Sequence, residues 1–370
     1  MLQYKKTKEN IKTEPEGKKG YARDFISAKH IKYYFYYKEG KSVVPVKDKK
    51  KNEQAKRKLA SLLRDKKDSV PERFLKNWSE VALYNPRGDI KAAKAILIDP
   101  EKGAYDLSNS INELTGKEWV KFTCSWFIFN ALHKDLKEER DVSPNSKDHP
   151  ATFSPTMIEK FVEFFTKKGE TVLDPFSGIG STLVACNRTG RVGYGIELNK
   201  KYYNVSVKRT PKFKKNIFND SAENIKNFKI PEIAFSISSP PYWNVLNRST
   251  KDFKNKRDKN GLDHNYSTKV EDLGNIGGYE IFLERLAKVY FNVYDLLKKR
   301  GHLVVIVKNV KKKGKIYPLA WDLARILSKK YELKDEKIWI QDKMGLAPYG
   351  YPSTWASNIL HHYCLIFQKK

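Results

Sequence analysis

Apolar positions in the second half of the chain fall into short runs that alternate with amphipathic stretches. Thr171–Leu173, Val192–Ile196, Pro231–Ser239 and His302–Val307 are apolar runs of strand length bounded by turn residues. Between and after them, Ser181–Arg188, the basic Lys200–Arg209, Tyr279–Lys299 and Leu319–Leu327 predict helices. The third is the strongest: Ile281, Leu283, Leu286, Val289, Tyr290, Val293 and Leu296–Leu297 form one apolar face, and Gly301 stands as its stop. Upstream, Ser154 or Thr156 caps a further helix with Pro155 in its first turn, and Met157, Phe161, Phe164 and Phe165 make its apolar face. Ile338–Trp339 and His362–Phe367 read as closing strands. Strands alternating with helices predict an α/β fold, a mostly parallel sheet with helices on both faces.

The first part of the chain is less regular. Tyr33–Tyr37 is an aromatic patch that suits a strand packed on the main domain or a surface that stacks on bases. Lys47–Lys58 reads as a solvated helix or tail, Lys91–Leu97 as a short helix or strand, and Tyr105–Asn112 as a turn-rich connection. Trp119, Phe122, Trp126 and Phe129 follow at spacings of three and four, which predicts one aromatic helical face packed on the core. Residues 243–276 are polar and basic without apolar periodicity, the pattern of a functional loop.

Charge adds a partner class. Lys and Arg number 72 against 43 Asp and Glu, a formal net charge of +29 over 370 residues. Residues 1–70 alone hold 21 basic against 9 acidic side chains. Such a field favours a polyanion, and nucleic acid is the first candidate.

The chemistry concentrates in two places. Thr171–Leu173 runs into Asp174, Pro175, Phe176, Ser177, Gly178 and Gly180, a turn that breaks regular structure and opens a small-residue helix closed by Gly190. Glycines let a ligand approach the backbone, and the helix start directs free N–H groups at it. Glu197, followed by Leu198, ends the next strand about 20 residues on, where an acid can hold the two hydroxyls of a ribose. These features suit a dinucleotide as well as S-adenosylmethionine. The second place is Ser239, Pro240, Pro241 and Tyr242. Two successive prolines stiffen the corner and remove two N–H donors, leaving carbonyls and a hydroxyl as acceptors for an amino group. Tyr242 offers a flat face for a base.

DPFSGIGST followed by GIELN, with SPPY some 60 residues later, resembles the S-adenosylmethionine loop, ribose acid and catalytic turn of the amino-group DNA methyltransferases. The resemblance covers roughly residues 114–370. It implies a Rossmann-like fold with a seven-stranded sheet, one strand antiparallel, and a basic N-terminal extension. It also implies that Thr152 and Phe153, in His149–Phe153, wrap the methionine end of the cofactor, with His149 shaping the loop. Asp220 stands where family members contact the adenine amino group. SPPY resembles cytosine-N4 more often than adenine-N6 enzymes, so the implied reaction is methyl transfer to the N4 amine of a flipped cytosine in duplex DNA. The implied setting is the modification half of a restriction–modification pair, with the endonuclease encoded separately. The order here, cofactor loop before SPPY, differs from methyltransferases that place SPPY first. The domain reading is a basic region 1–110, a candidate for target recognition, and a catalytic domain 111–370 whose 243–276 loop contacts DNA.

The remaining residues exclude other chemistry. Cys124, Cys186 and Cys364 are widely spaced, and none follows a proline, so neither a metal cluster nor a covalent Pro-Cys mechanism is expected. Asn358 and His361–His362 lack a third partner nearby and are not read as metal ligands. Without a run of 18 apolar residues or a signal-peptide pattern, a soluble cytoplasmic protein with no membrane partner is expected. Adenine-N6 methylation, methylation of RNA or of a protein glutamine, and a non-catalytic nucleic-acid-binding module are the alternatives. The intact SPPY, Gly178 and Gly180 weigh against the last.

Overall fold

A computed structural model describes residues 3–4, 31–65, 70–76, 80–99, 101–129, 153–244, 269, 271–312, 314–341, 345–348 and 350–370. The chain divides into two compact units, residues 1–123 and 124–370. Thr152, His149 and most of the 243–276 loop lie outside the described residues.

The first unit is built on a six-stranded sheet. Its strands are β1 (Gln3–Tyr4), β2 (Phe35–Glu39), β3 (Ser42–Pro45), β4 (Glu80–Tyr84), β5 (Lys94–Asp99) and β6 (Gly103–Asp106), in the order β1-β3-β2-β4-β5-β6. Phe35–Tyr37 of the aromatic patch are therefore part of a strand of this sheet, with Phe35 fully buried. The lysine-rich stretch forms helix α1 (Lys49–Asp65), which is solvated on one side only. Ala55, Leu59 and Leu63 recur at spacing four and pack into the core with Phe35, Leu83, Leu97 and Tyr105. Helix α2 (Glu72–Lys76) follows, and α3 (Gly116–Phe122) closes the unit. Thr115 and Glu118 form a reciprocal capping box there. Arg73 makes a two-pronged pair with Glu118, at 3.1 and 2.6 Å. This tie holds α3 within the first unit.

The second unit holds an eight-stranded sheet in the order β10-β9-β8-β11-β12-β16-β15-β7. Its strands are β7 (Trp126–Ile128), β8 (Thr171–Asp174), β9 (Val192–Ile196), β10 (Ile217–Phe218), β11 (Ile233–Ser238), β12 (Leu297–Val307), β15 (Tyr331–Ile340) and β16 (His361–Lys369), while β13 (Val310–Lys312) and β14 (Lys315–Tyr317) pair apart. Every neighbour pairing is parallel except the two made by β16. The expected seven strands are thus joined by an eighth. Trp126–Ile128 pairs with Ile338–Ile340, so the predicted aromatic helical face breaks after Phe122. A spacing of three and four there was coincidence between a helix end and an edge strand.

Helices α4 (Pro155–Phe165), α5 (Ser181–Thr189), α6 (Lys200–Arg209), α7 (Tyr279–Leu296) and α8 (Leu319–Leu327) complete the unit. Ser154 caps α4, with Pro155 in its first turn. The main core packs Phe282, Leu286, Val289, Tyr290 and Val293 of α7 on Leu303, Val305, Val307, Leu365 and Phe367 of the sheet. The predicted helix overran by three residues. Leu297 turns extended (ψ 137) because it is taken into the ladder opposite Ile233. Gly301 instead sits in the strand at a register shift, where a Cβ would stand 3.0 Å from the Ala234 carbonyl oxygen. Among the described residues no helix is long and apolar enough to cross a membrane, and no metal-holding cluster occurs.

Candidate active site

Strand order reverses between β8 and β11, and at such a point the strand ends diverge to leave a crevice. A cleft opens there with about 1020 Å³ of space outside protein atoms, counted out to solvent. The size suits a ligand of nucleoside dimensions.

The Gly-bearing turn forms one wall. Asp174, buried at the end of β8, accepts hydrogen bonds from the Phe176 amide at 3.0 Å and the Thr182 hydroxyl at 2.6 Å. Burial pushes its carboxyl up to about 7 against those two bonds. Gly178 and Gly180 have φ of +53° and +86°, backbone that side chains rarely adopt. Gly180 is also the N-cap of α5, and a Cβ on it would collide with Ser206 of α6. Asp174, Pro175, Phe176, Ser177 and Gly178 line the cleft, while Gly180 supports it from behind.

Glu197 closes the second side. Its Oε2 accepts the Gly178 amide hydrogen and its Oε1 that of Asn199, both at 2.8 Å. Burial lifts its carboxyl to about 7; the two amides oppose this, and the charges of Asp272 and Asp174 add to it. Leu198 and Asp220 line the cleft beside it. Asp220 is tied to the turn that follows, which Ser221 caps, accepting from the Ser221 amide at 2.6 Å and the Asn224 side chain at 3.0 Å. Phe153 lines the cleft from the α4 side.

The SPPY corner is the third wall. Buried β11 delivers it, locked to β8 by Ser236 donating to the Leu173 carbonyl at 2.9 Å. Ser239 and Pro241 face the cleft, Pro240 is buried within the corner, and Tyr242 lies beyond it. The Ser239 and Tyr242 hydroxyls are 2.9 Å apart, so the two groups share a hydrogen bond. The next residue, Trp243, takes φ +57°, an unusual backbone for a bulky side chain. Its ring is buried against Tyr279 and Tyr317, with Lys312 Nζ 3.9 Å from the ring centroid. That packing holds the corner in place.

Some cleft residues carried no sequence signal. Glu271, Asp272 and Leu273 line it from the far end of the polar loop, and Asp272 caps the short turn Leu273–Asn275. Ser238 bonds the buried Tyr290 hydroxyl at 2.9 Å under the corner.

Sheet order and cleft are those of a doubly wound α/β protein with a ligand site at its switch point. The chain belongs to the DNA methylase family, whose profile matches residues 2–208, more than half of it. The match reaches back into the basic N-terminal region, contains the Gly-bearing turn and Glu197, and ends before Ser239. S-adenosylmethionine is the cofactor of this family. Type II methyltransferase M.BglI of Bacillus subtilis is 32% identical over 104 residues, 28% of this chain and 26% of that protein. Type II methyltransferase M.Cfr9I of Citrobacter freundii is 39% identical over 69 residues, 19% of this chain and 23% of that protein. The chain thus spans about a quarter of the length of these relatives. Among solved structures, TrmN from Thermus thermophilus aligns with a TM-score of 0.40 at 12% identity, over 79% of this chain and 60% of that one.

Proposed function

We propose that the protein transfers a methyl group from S-adenosylmethionine to the N4 amine of cytosine in duplex DNA, as the modification half of a restriction–modification pair. The observation that carries this reading is the SPPY corner, with its Ser239–Tyr242 bond, on the cleft that also holds Glu197 and the Gly178 turn.

The donor set fits the cofactor. Glu197 keeps both carboxylate oxygens on amides yet retains lone pairs for two ribose hydroxyls. Asp220 accepts from an adenine amino group between the apolar Leu198 and Ala222, while Asp174 and Phe153 border the amino-acid end. When bound, the cofactor supplies an electrophilic methyl group on a sulfonium.

The chain's own residues do the rest. The amine is a weak nucleophile because its lone pair is delocalised into the base. Ser239 Oγ and the Pro240 carbonyl accept its two hydrogens, which draws the nitrogen toward a tetrahedral form and aims the lone pair. Tyr242 stacks on the flipped base, and its hydroxyl orients Ser239. Holding both partners in line supplies most of the rate. The net charge of +29 favours DNA as the substrate.

The test is transfer of isotope-labelled methyl from S-adenosylmethionine to duplex DNA, with RNA and total protein as parallel acceptors. Label in DNA that is lost in Tyr242→Ala supports the proposal. Label confined to RNA or protein contradicts it.

A further inference from the structure

Two polar groups near the SPPY corner have no hydrogen-bond partner among the described residues, His362 at Nδ1 and Lys308. His362 packs its ring on Trp339, with centroids 4.5 Å apart, and lies 5.9 Å from the Tyr242 ring. It is buried, and among the described residues its Nδ1 has no hydrogen-bond partner. Lys308 follows the last residue of β12. The β12–β16 ladder ends at Val307 opposite Tyr363, and one step further Lys308 comes opposite His362 on the same sheet face. Across the next ladder, His362 is paired with Trp339. Lys308, His362 and Trp339 thus form one row along the carboxyl rim of the sheet. Phe153, a cleft residue, packs edge-on against Trp339 at 5.3 Å and His362 at 6.4 Å.

Neither group has a structural duty that explains it. Lys308 is half-buried without a carboxylate or hydrogen-bond partner among the described residues, and burial lowers its pKa. Burial, Lys308 and His361 together push His362 down to about 3, so its ring is neutral and carries one N–H. A buried polar nitrogen left unmet, as His362 Nδ1 is, is costly, which points to a ligand that completes it.

We propose that Lys308 and His362 read the Watson–Crick edge of the flipped cytosine, Lys308 donating to its O2 carbonyl and His362 donating from Nδ1 to its N3. His362 lies 5.9 Å from the Tyr242 ring on which the base is proposed to stack, with its N4 amine held at Ser239. Adenine has no carbonyl on that edge and leaves Lys308 unmet. The pair is therefore a specificity determinant, and the inference rests on the cytosine-N4 reading above. A backbone phosphate is the competing ligand for a lysine, but it gives no role to a buried neutral His362 in the same row.

The experiment compares wild type, Lys308→Met, Lys308→Arg and His362→Phe on PCR-amplified, hence unmodified, bacterial genomic DNA. Nucleoside mass spectrometry follows product formation, and calorimetry follows S-adenosylmethionine binding. The expected result is a loss of N4-methylcytosine formation of about 10- to 100-fold in Lys308→Met and His362→Phe. Cofactor affinity stays within about twofold, and Lys308→Arg recovers part of the rate. The salt dependence of DNA binding stays unchanged. A salt slope lower by about one in Lys308→Met, with turnover kept at saturating DNA, identifies a phosphate ligand and overturns the proposal. Equal N4-methylcytosine from wild type and Lys308→Met overturns it while the parent reading stands. N6-methyladenine alone, or no DNA product, from wild type overturns both.

Discussion

Glu197 holds the loop that precedes it by 19 residues: its Oε2 accepts the Gly178 amide hydrogen at 2.8 Å. The acid proposed to bind the ribose is therefore also the strut of the turn proposed to hold the rest of the cofactor. Glu197→Gln keeps the shape but loses charge at both amides. It is expected to weaken S-adenosylmethionine binding by about 10- to 100-fold, the range for a lost charged hydrogen bond. Calorimetric titration checks this, and an unchanged affinity rules out the ribose role.

The same carboxyl makes the protein sensitive to pH. Glu197 is lifted from 4.5 to about 7, so between those values the folded chain binds more protons than the unfolded one. Its contribution to stability is full below about 4.5 and is lost as pH rises through 7, on the order of 3 kcal/mol. Asp174 acts in the same direction. The ligand-free protein should melt at a higher temperature at pH 6 than at pH 8, and Glu197→Gln should shrink that difference. Cofactor binding runs the other way, since ribose hydroxyls donate to the charged form, so affinity should rise between pH 6 and 8. Melting curves and titrations at the two pH values measure both signs.

Gly180 and Gly169 separate backbone conformation from packing. Both have positive φ, +86° and +79°, but a Cβ at Gly169 meets nothing within 4 Å, whereas one at Gly180 collides with Ser206. Gly169→Ala should cost about 1 kcal/mol and Gly180→Ala about 3 or more. Denaturant unfolding gives the comparison, and equal losses would show that α6 yields freely.

Tyr242→Phe removes the bond to Ser239 and keeps the stacking face. Turnover should fall by about 2- to 10-fold, the value of one neutral hydrogen bond. Tyr242→Ala should cost far more turnover while leaving cofactor affinity nearly intact. Equal loss of turnover and cofactor binding in Tyr242→Ala contradicts the stacking role.

What the sequence disclosed was local. Asp174–Gly180, Glu197 and Ser239–Tyr242 are short segments whose own residues dictate the turn, and the α4 and α7 faces repeat at helical spacing. What it concealed was long-range pairing. Trp126–Ile128 becomes a strand because Ile338–Ile340 lies beside it, some 210 residues away. Leu297 leaves the helix because Ile233 claims it. Asp272 reaches the cleft at the end of a polar stretch with no periodicity, and Lys308 meets His362 only through the β12–β16 register. Local propensity cannot report such contacts, because the partner residue decides them.

The most direct measurement is nucleoside mass spectrometry on unmodified duplex DNA incubated with the full chain and S-adenosylmethionine. N4-methylcytosine, absent when Ser239 is replaced by Ala, is the predicted product. N6-methyladenine as the sole product would contradict the assignment of the base, and no methylated nucleoside across mixed-sequence DNA would contradict the proposed reaction.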